Sequence, residues 1–171
     1  MFFEYSYEEI ESTKCAEFLY RKWIENKGDL NTLLCAGASL WYFFVERNDG
    51  PDFTSPSLDE YQKMSEITAY GFECFSDNYE FNMLFGYMIG LFPYYFEGDY
   101  NELEKKACEM NKKACDLAPD NPIPKIWHYG WCADSSSSYK QAKKEAEPYV
   151  KEIFSDERAE FERYFRNMLL P

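Results

Sequence analysis

Apolar positions along this chain recur at spacings of three and four, the period of a helix with one buried face, and nowhere alternate as a half-buried strand would. Residues 7–26 carry Ile10, Phe18, Leu19 and Trp23, with Cys15 and Ala16 among them, and predict a first amphipathic helix. Ser6 stands as its N-cap, and Glu8, Glu9 and Glu11 fall in its first turns, where carboxylates meet the positive end of the helix dipole. Lys27-Gly28-Asp29 ends it, with Gly28 as the left-handed residue after the helix and Asp29 as the N-cap of the next. Residues 30–46, which include LLCAGASLWYFFV, are apolar almost all round, so this second helix should lie between two others.

NDGPDFTSPS, residues 48–57, joins prolines and a glycine to several capping residues and predicts the longest loop. Ser57 or Asp59 then opens a third helix running to Phe75, with Tyr61, Met64, Ile67, Ala69, Phe72 and Phe75 inward. After Ser76-Asp77-Asn78 comes the most regular unit of the chain, residues 81–121: an apolar helix with Gly86 and Gly90 at i,i+4, a Gly98-Asp99 break, an amphipathic helix, and a Pro-Asp-Asn stop. Glycines at that spacing let a neighbouring helix approach closely, at about 1 kcal/mol each in helix propensity. IPKIWHYGWCA predicts a sixth helix, and the serines of residues 134–138 a connector. The seventh helix, residues 139–154, should be kinked by Pro148. The eighth, residues 157–170, is capped by Ser155-Asp156 and carries Phe161, Tyr164, Phe165, Met168 and Leu169 on one face. The expected fold is all-α: a single domain over residues 1–171, with antiparallel helix-turn-helix pairs at about 7–47, 57–97 and 99–132 and closing helices at 139–170.

Two internal echoes extend this reading. LWYFFVE at 40–46 matches LFPYYFE at 91–97, and SDNYEF after Phe75 occupies the place of PDNPIP after Ala118. Paired helices repeating every few tens of residues belong to helical solenoids. Ala107, Ala114 and Pro119 stand at the small, small and proline positions of the second helix of a tetratricopeptide repeat, and DLAPDNP looks like that family's inter-repeat turn. The chain therefore resembles a short right-handed tetratricopeptide-like solenoid, with lengthened first helices because Gly86 lies farther from Ala107 than the repeat pattern has it.

Charge narrows the partners. The 171 residues carry a net charge of −13, which repels nucleic acid and anionic membranes, and the Lys and Arg clusters that phosphate contacts require are absent. The complement of such a surface is a basic protein. No apolar run reaches the roughly 18–20 residues of a membrane span, and MFFEYSYEEIE lacks the basic and apolar regions of a secretory leader. Cys15, Cys35, Cys74, Cys108, Cys115 and Cys132 sit mostly among apolar helix positions, so buried free thiols in a reducing cytoplasm are expected over disulfides.

Little in the chain points to chemistry. The one histidine, His128 in WHYGW, excludes multi-histidine metal sites and is expected as a structural residue, although Cys132, four residues on, could face the same side. There is no Cys-x-x-Cys pair, and Cys108 and Cys115 share a helix face without the reach to bridge. Phosphate-binding glycine loops and the serine-hydrolase elbow are missing. Among the 31 carboxylates, Glu97 with Asp99 and Asp49 with Asp52 are the pairs best placed to converge as an acid–base dyad, against a solvated acidic surface as the plainer account. Glu102 with Lys105 or Lys106, and Lys144 with Glu147, are helix-face ion pairs. The expectation is a non-enzyme that binds no cofactor and no metal.

The coupling of acids with aromatic rings remains. Fifteen tyrosines and four tryptophans exceed the needs of a core this size, and tyrosine and tryptophan dominate interface hot spots, whereas carboxylates steer a basic partner. WYFFVERNDGPD and PYYFEGDY each place rings beside acids at a turn, which nominates Trp41, Tyr42, Glu46, Asp49, Asp52, Tyr94, Tyr95, Glu97, Asp99 and Tyr100 as partner-binding residues. In size, acidity and helical character the chain resembles the immunity proteins of bacterial polymorphic toxin and contact-dependent growth inhibition systems. That resemblance implies a cytoplasmic monomer, or one half of a 1:1 complex, that covers a cognate toxin, with a nuclease as the natural basic target. A tetratricopeptide-like adaptor or co-chaperone holding peptides in a concave groove is the alternative.

Overall fold

Side-chain caps set where the helices begin. The Asp29 carboxylate accepts hydrogen bonds from the amides of Asn31 (3.1 Å) and Thr32 (3.3 Å). Ser57 and Glu60 form a reciprocal capping box, Asn78 accepts from the amides of Glu80 (2.8 Å) and Phe81 (3.1 Å), and Asn121 accepts from the amide of Ile123 (3.0 Å). The chain, here a computed structural model describing residues 12–49, 55–133, 135–153 and 160–170, forms α1 (Ser12–Glu25), α2 (Leu30–Asp49), α3 (Leu58–Phe75), α4 (Tyr79–Leu91), α5 (Tyr100–Leu117), α6 (Pro122–Trp127), α7 (Ser136–Ile153) and α8 (Glu160–Leu169). The fold is all-α, with no strand among the described residues. The Ser6 and Ser155-Asp156 caps, the first-turn glutamates and the centre of the 48–57 loop lie outside them, as does the Phe161 side chain.

The buried stripes follow helical spacing. Cys15, Ala16, Leu19 and Trp23 face inward from α1, while Phe18 turns outward under the Lys22 ammonium. Met64, Ile67 and Gly71 form the inner line of α3, and Ala69, two positions from Ile67, lies on its exposed face rather than inward as expected. The second helix is buried almost throughout because α1, α3, α4 and α8 all pack on it.

The most extensive packing joins α1 with α2, α4 with α5, and α6 with α7; the expected partners α3 and α4 touch less. Small residues explain the α4–α5 seam. A Cβ on Gly86 would stand 3.0 Å from Asn111 Oδ1 and 3.1 Å from Met110 Cβ, and one on Gly90 would stand 3.4 Å from Ala107 Cβ. Phe81 and Phe85, their rings tilted against each other with centroids 4.6 Å apart, enter notches left by Gly71 on α3 and Gly37 on α2, which carries α4 into the centre of the molecule.

Several expectations are corrected. Helix α4 ends at Leu91, and Pro93–Tyr95 forms a single tight 3₁₀ turn, so the first helix of this unit is not lengthened. Proline's ring excludes the preceding turn of α-helix, and the chain from α4 to α5 runs through the 3₁₀ turn and the Gly98 bend. LWYFFVE is helical throughout whereas LFPYYFE is broken, so the two segments do not share a conformation. Gly98 (φ +144°) is the left-handed glycine among the described residues, and Gly28 is not one. The sixth helix stops at Trp127 and continues as a π-helical turn, His128–Cys132, in which the Ala133 amide reaches back five residues to the His128 carbonyl (3.1 Å).

The thiol expectation fails at one pair. Cys108 on α5 and Cys132 in the π turn form a disulfide, with Cα atoms 5.5 Å apart. Cys108 does not bridge to Cys115, as the helix spacing requires; its partner comes from a segment 24 residues later.

Candidate functional site

The turn between α4 and α5 sorts its residues by direction. In the 3₁₀ geometry successive side chains diverge by about 120°, so Pro93 and Tyr95 point inward while Tyr94 is thrown outward. Tyr95 is 3% exposed, and its hydroxyl donates a 3.0 Å hydrogen bond to the Phe44 carbonyl of α2. Gly98 then reverses the chain, and Asp99 caps α5 by accepting from the amides of Asn101 (3.0 Å) and Glu102 (3.1 Å).

This geometry brings four of the nominated residues onto one exposed patch. Tyr94 (50% exposed) and Tyr100 (53%) flank Glu97 and Asp99, with Glu102 at the first turn of α5. The Glu104 carboxylate beside the Tyr100 phenol holds that group above its usual range. Glu97 accepts from Ser65 Oγ (2.8 Å), which ties the patch to α3. Glu97 thus holds a serine of α3 and Asp99 the end of α5. Beside them a shallow groove of about 190 Å³ runs between α3 and α5, walled by Phe72, Phe96 and Leu103, with Lys106 over the Phe72 ring at 3.3 Å.

The remaining nominated residues lie elsewhere. Trp41 is 0% exposed, packed within 5.6–5.8 Å of the rings of Tyr87, Phe92, Tyr164 and Phe165. Trp41 and Tyr95 are thus core residues rather than contact residues: the two aromatic clusters of the sequence face each other and bury one another, Phe44 meeting Tyr95 at 5.1 Å. Tyr42 and Glu46 are half-buried on α2, with the Tyr42 ring 5.5 Å from Tyr164. The Asp49 side chain and Asp52 fall outside the described residues.

A second feature escaped the sequence reading. A cavity of about 140 Å³ opens between α4, α5, α6, α7 and the end of α8, with Tyr87, Trp127, Trp131 and Tyr139 in its walls and Gly86, Gly90 and Gly130 letting those walls approach. Asn111 lines it and is 2% exposed, and its Oδ1 is buried with no hydrogen-bond partner. The legible signal was an amide on an otherwise apolar stripe, Leu103, Ala107, Met110, Asn111 and Ala114. The Tyr87 hydroxyl shares a 2.8 Å hydrogen bond with Tyr164.

His128 is half-buried, held below its usual value by burial and then by the Lys112 charge, with Asp116 opposing. Its neighbour in sequence, Cys132, is disulfide-bonded and supplies no thiolate for nucleophilic chemistry. Among the described residues no three of His, Cys, Asp and Glu gather in a group that could hold a metal ion, and no helix is long and apolar enough to cross a membrane. The chain matches no protein-family model, no curated protein and no solved structure.

Proposed function

We propose that this chain is a protein-binding inhibitor that covers a basic surface of one specific partner, in the manner of an immunity protein neutralising its cognate toxin. The observation that carries the reading is the exposed patch of Tyr94, Glu97, Asp99 and Tyr100. Two half-exposed tyrosines present rings at low conformational cost, and the carboxylates between them supply the charge that meets a basic protein. The patch stands on a rigid base, fixed by Tyr95 to α2, by Glu97 to α3 and by the cap of α5. A preorganised surface loses little entropy on binding. A net charge of −13 accelerates encounter with a basic partner and sharpens its salt dependence. A nuclease, whose own substrate surface must be basic, is the class of toxin that fits, and the complex would form 1:1.

The test uses the protein product of the gene adjacent to this one as the ligand. A 1:1 complex of nanomolar Kd, weakened about 100-fold or more by Tyr94→Ala with Tyr100→Ala and abolishing the partner's toxicity on co-expression, is the expected result. Binding of several unrelated short peptides at micromolar strength, with no effect of those substitutions, would replace this reading with a peptide-holding adaptor of the tetratricopeptide-like kind.

A further inference from the structure

The open groove between α3 and α5 carries opposite charges at its two ends. Ser65 and Phe72 both face it from α3, about 10 Å apart along the helix. At the Ser65 end stands Glu97, whose Oε2 accepts the serine hydroxyl at 2.8 Å. At the Phe72 end stands the Lys106 ammonium, 3.3 Å from the ring centroid. The floor between them is apolar, made by the nearly buried Phe96 and Leu103, and Ala69 borders it from the exposed side of α3.

The two charges differ in how far the chain already answers them. Lys106 rests on an aromatic face, a favourable place for an ammonium. Glu97 is exposed, and among the described residues no cation pairs with it. A carboxylate offers about four acceptor sites, and the Ser65 hydroxyl uses one of them. The larger depression of about 210 Å³ between α1, α2 and α3 is different: Lys63 there holds Glu17 at 2.7 Å and Asp59 at 2.8 Å, so its charges are met within the chain. Asp99 and Glu102 stand near Glu97 and deepen the negative potential at that end of the groove.

These features select an occupant. A small cation gains nothing from Phe96 and Leu103, and an apolar side chain leaves Glu97 unanswered. A long side chain with a methylene stem and a cationic head meets both, laying the stem on apolar surface and keeping the head at the water's edge. Arginine fits better than lysine, because a guanidinium is less strongly hydrated than an ammonium and its planar fork matches the two oxygens of a carboxylate. Lys106 repels a cation from the Phe72 end and so directs the head to Glu97.

We infer that this groove takes an arginine side chain of a basic partner protein, its stem along Phe96 and Leu103 and its guanidinium on Glu97. The inference rests on the reading of the chain as an inhibitor of a basic protein. It gives the Tyr94–Tyr100 surface an anchoring pocket at its side, and arginine is among the residues that dominate interface hot spots.

The test follows the Leu103 methyl signals of the full chain by NMR during titration with butylguanidinium chloride at constant ionic strength, beside guanidinium chloride and 1-pentanol. The expected result is saturable shifts with butylguanidinium at a Kd of about 10 mM or below. Guanidinium, which lacks the stem, and pentanol, which lacks the charge, should each bind about tenfold more weakly. Glu97→Gln keeps an acceptor for Ser65 and removes the charge; it should weaken butylguanidinium about threefold or more while leaving pentanol unchanged. Ala69→Leu fills the groove from an exposed helix position at little cost in helix propensity, so the fold is kept and every probe should bind about tenfold more weakly or worse. Shifts that are absent up to about 50 mM, or saturable but indifferent to both substitutions, would overturn the inference. The inhibitor reading fails separately, by the absence of a complex with the product of the adjacent gene. Where that complex forms, Ala69→Leu should weaken it about tenfold or more; a complex that neither substitution weakens leaves the inhibitor reading standing and overturns the groove as its anchor.

Discussion

The Tyr95 hydroxyl donates a 3.0 Å hydrogen bond to the Phe44 carbonyl, whereas the ring of Tyr94, one residue earlier, stands half in solvent. Two adjacent tyrosines of the same motif thus have opposite tasks. Tyr95→Phe keeps the ring and deletes a buried hydrogen bond, and should cost about 1 kcal/mol, or roughly 2–4 °C in Tm for a chain of this length. Tyr94→Phe should leave Tm unchanged within about 1 °C. Thermal denaturation of the two variants side by side checks the assignment, and equal losses would refute it.

The notch at Gly71 makes a second contrast. A Cβ there would collide with Cε2 and Cζ of the buried Phe81 ring, while nothing lies within 4 Å of a Cβ on Gly28. Gly71→Ala should therefore destabilise by about 1–3 kcal/mol through overpacking. Gly28→Ala, at a glycine without positive φ, should be neutral or stabilise by up to about 1 kcal/mol by restricting the unfolded chain. Urea midpoints of both proteins give the comparison.

Cys108 and Cys132 join α5 to the π turn across 24 residues. Closing a loop of that size in the unfolded chain is worth about 3 kcal/mol on the chain-entropy account. Cys108→Ser with Cys132→Ser should lower the urea midpoint accordingly, and reductant should lower the parent midpoint by a similar amount while leaving the double variant unmoved. A parent protein indifferent to reductant would contradict the pairing.

Acidification should weaken the fold in two steps. Burial, reinforced by Lys112, lowers the folded-state value of His128 below 6.5, so the unfolded chain takes up that proton first, and stability falls as the pH drops through the region just below 6.5. The hydrogen bond from Lys63 lowers Glu17, and those from Lys27 and Tyr20 lower Glu66, against an ordinary value of 4.5. Their contributions are present above 4.5 and are lost as the pH falls through the lower folded-state values. Both carboxylates keep about two-fifths of their side chains in solvent, which screens the pairs, so the second step is worth only a few tenths of a kcal/mol each. Burial raises Glu80 instead, so its protonation favours the fold as the pH falls through its raised folded-state value towards 4.5, above the region in which Glu17 and Glu66 lose their contributions. Chemical denaturation across this pH range should show the first step disappearing in His128→Gln and the second shrinking in Glu66→Gln.

Much of the fold is written locally in the chain. The threefold and fourfold spacing of Cys15, Leu19 and Trp23, and of Met64, Ile67 and Gly71, is a property of each segment alone, and so are the caps at Asp29, Ser57, Asn78, Asp99 and Asn121, whose side chains reach only two or three residues ahead. The exposed patch was half legible for the same reason, because the turn at Gly98-Asp99 and its neighbouring acids and rings are contiguous.

What no segment contains is its neighbour. Whether Tyr94 or Tyr95 is buried depends on where Phe44 stands, 51 residues earlier, and Trp41 enters the core only because Tyr87, Phe92 and Phe165 arrive around it. The pairing of Cys108 with Cys132 and the opening beside Asn111 likewise follow from how closely α4, α5, α6 and α7 approach one another. The sequence by itself determined that the chain is helical, where most helices begin and most of their buried faces, since capping hydrogen bonds and hydrophobic periodicity act over a few residues; the ends of α4 and α6 it did not. Tertiary structure alone decided which rings, thiols and amides meet, since that depends on the register between helices that are distant in the chain.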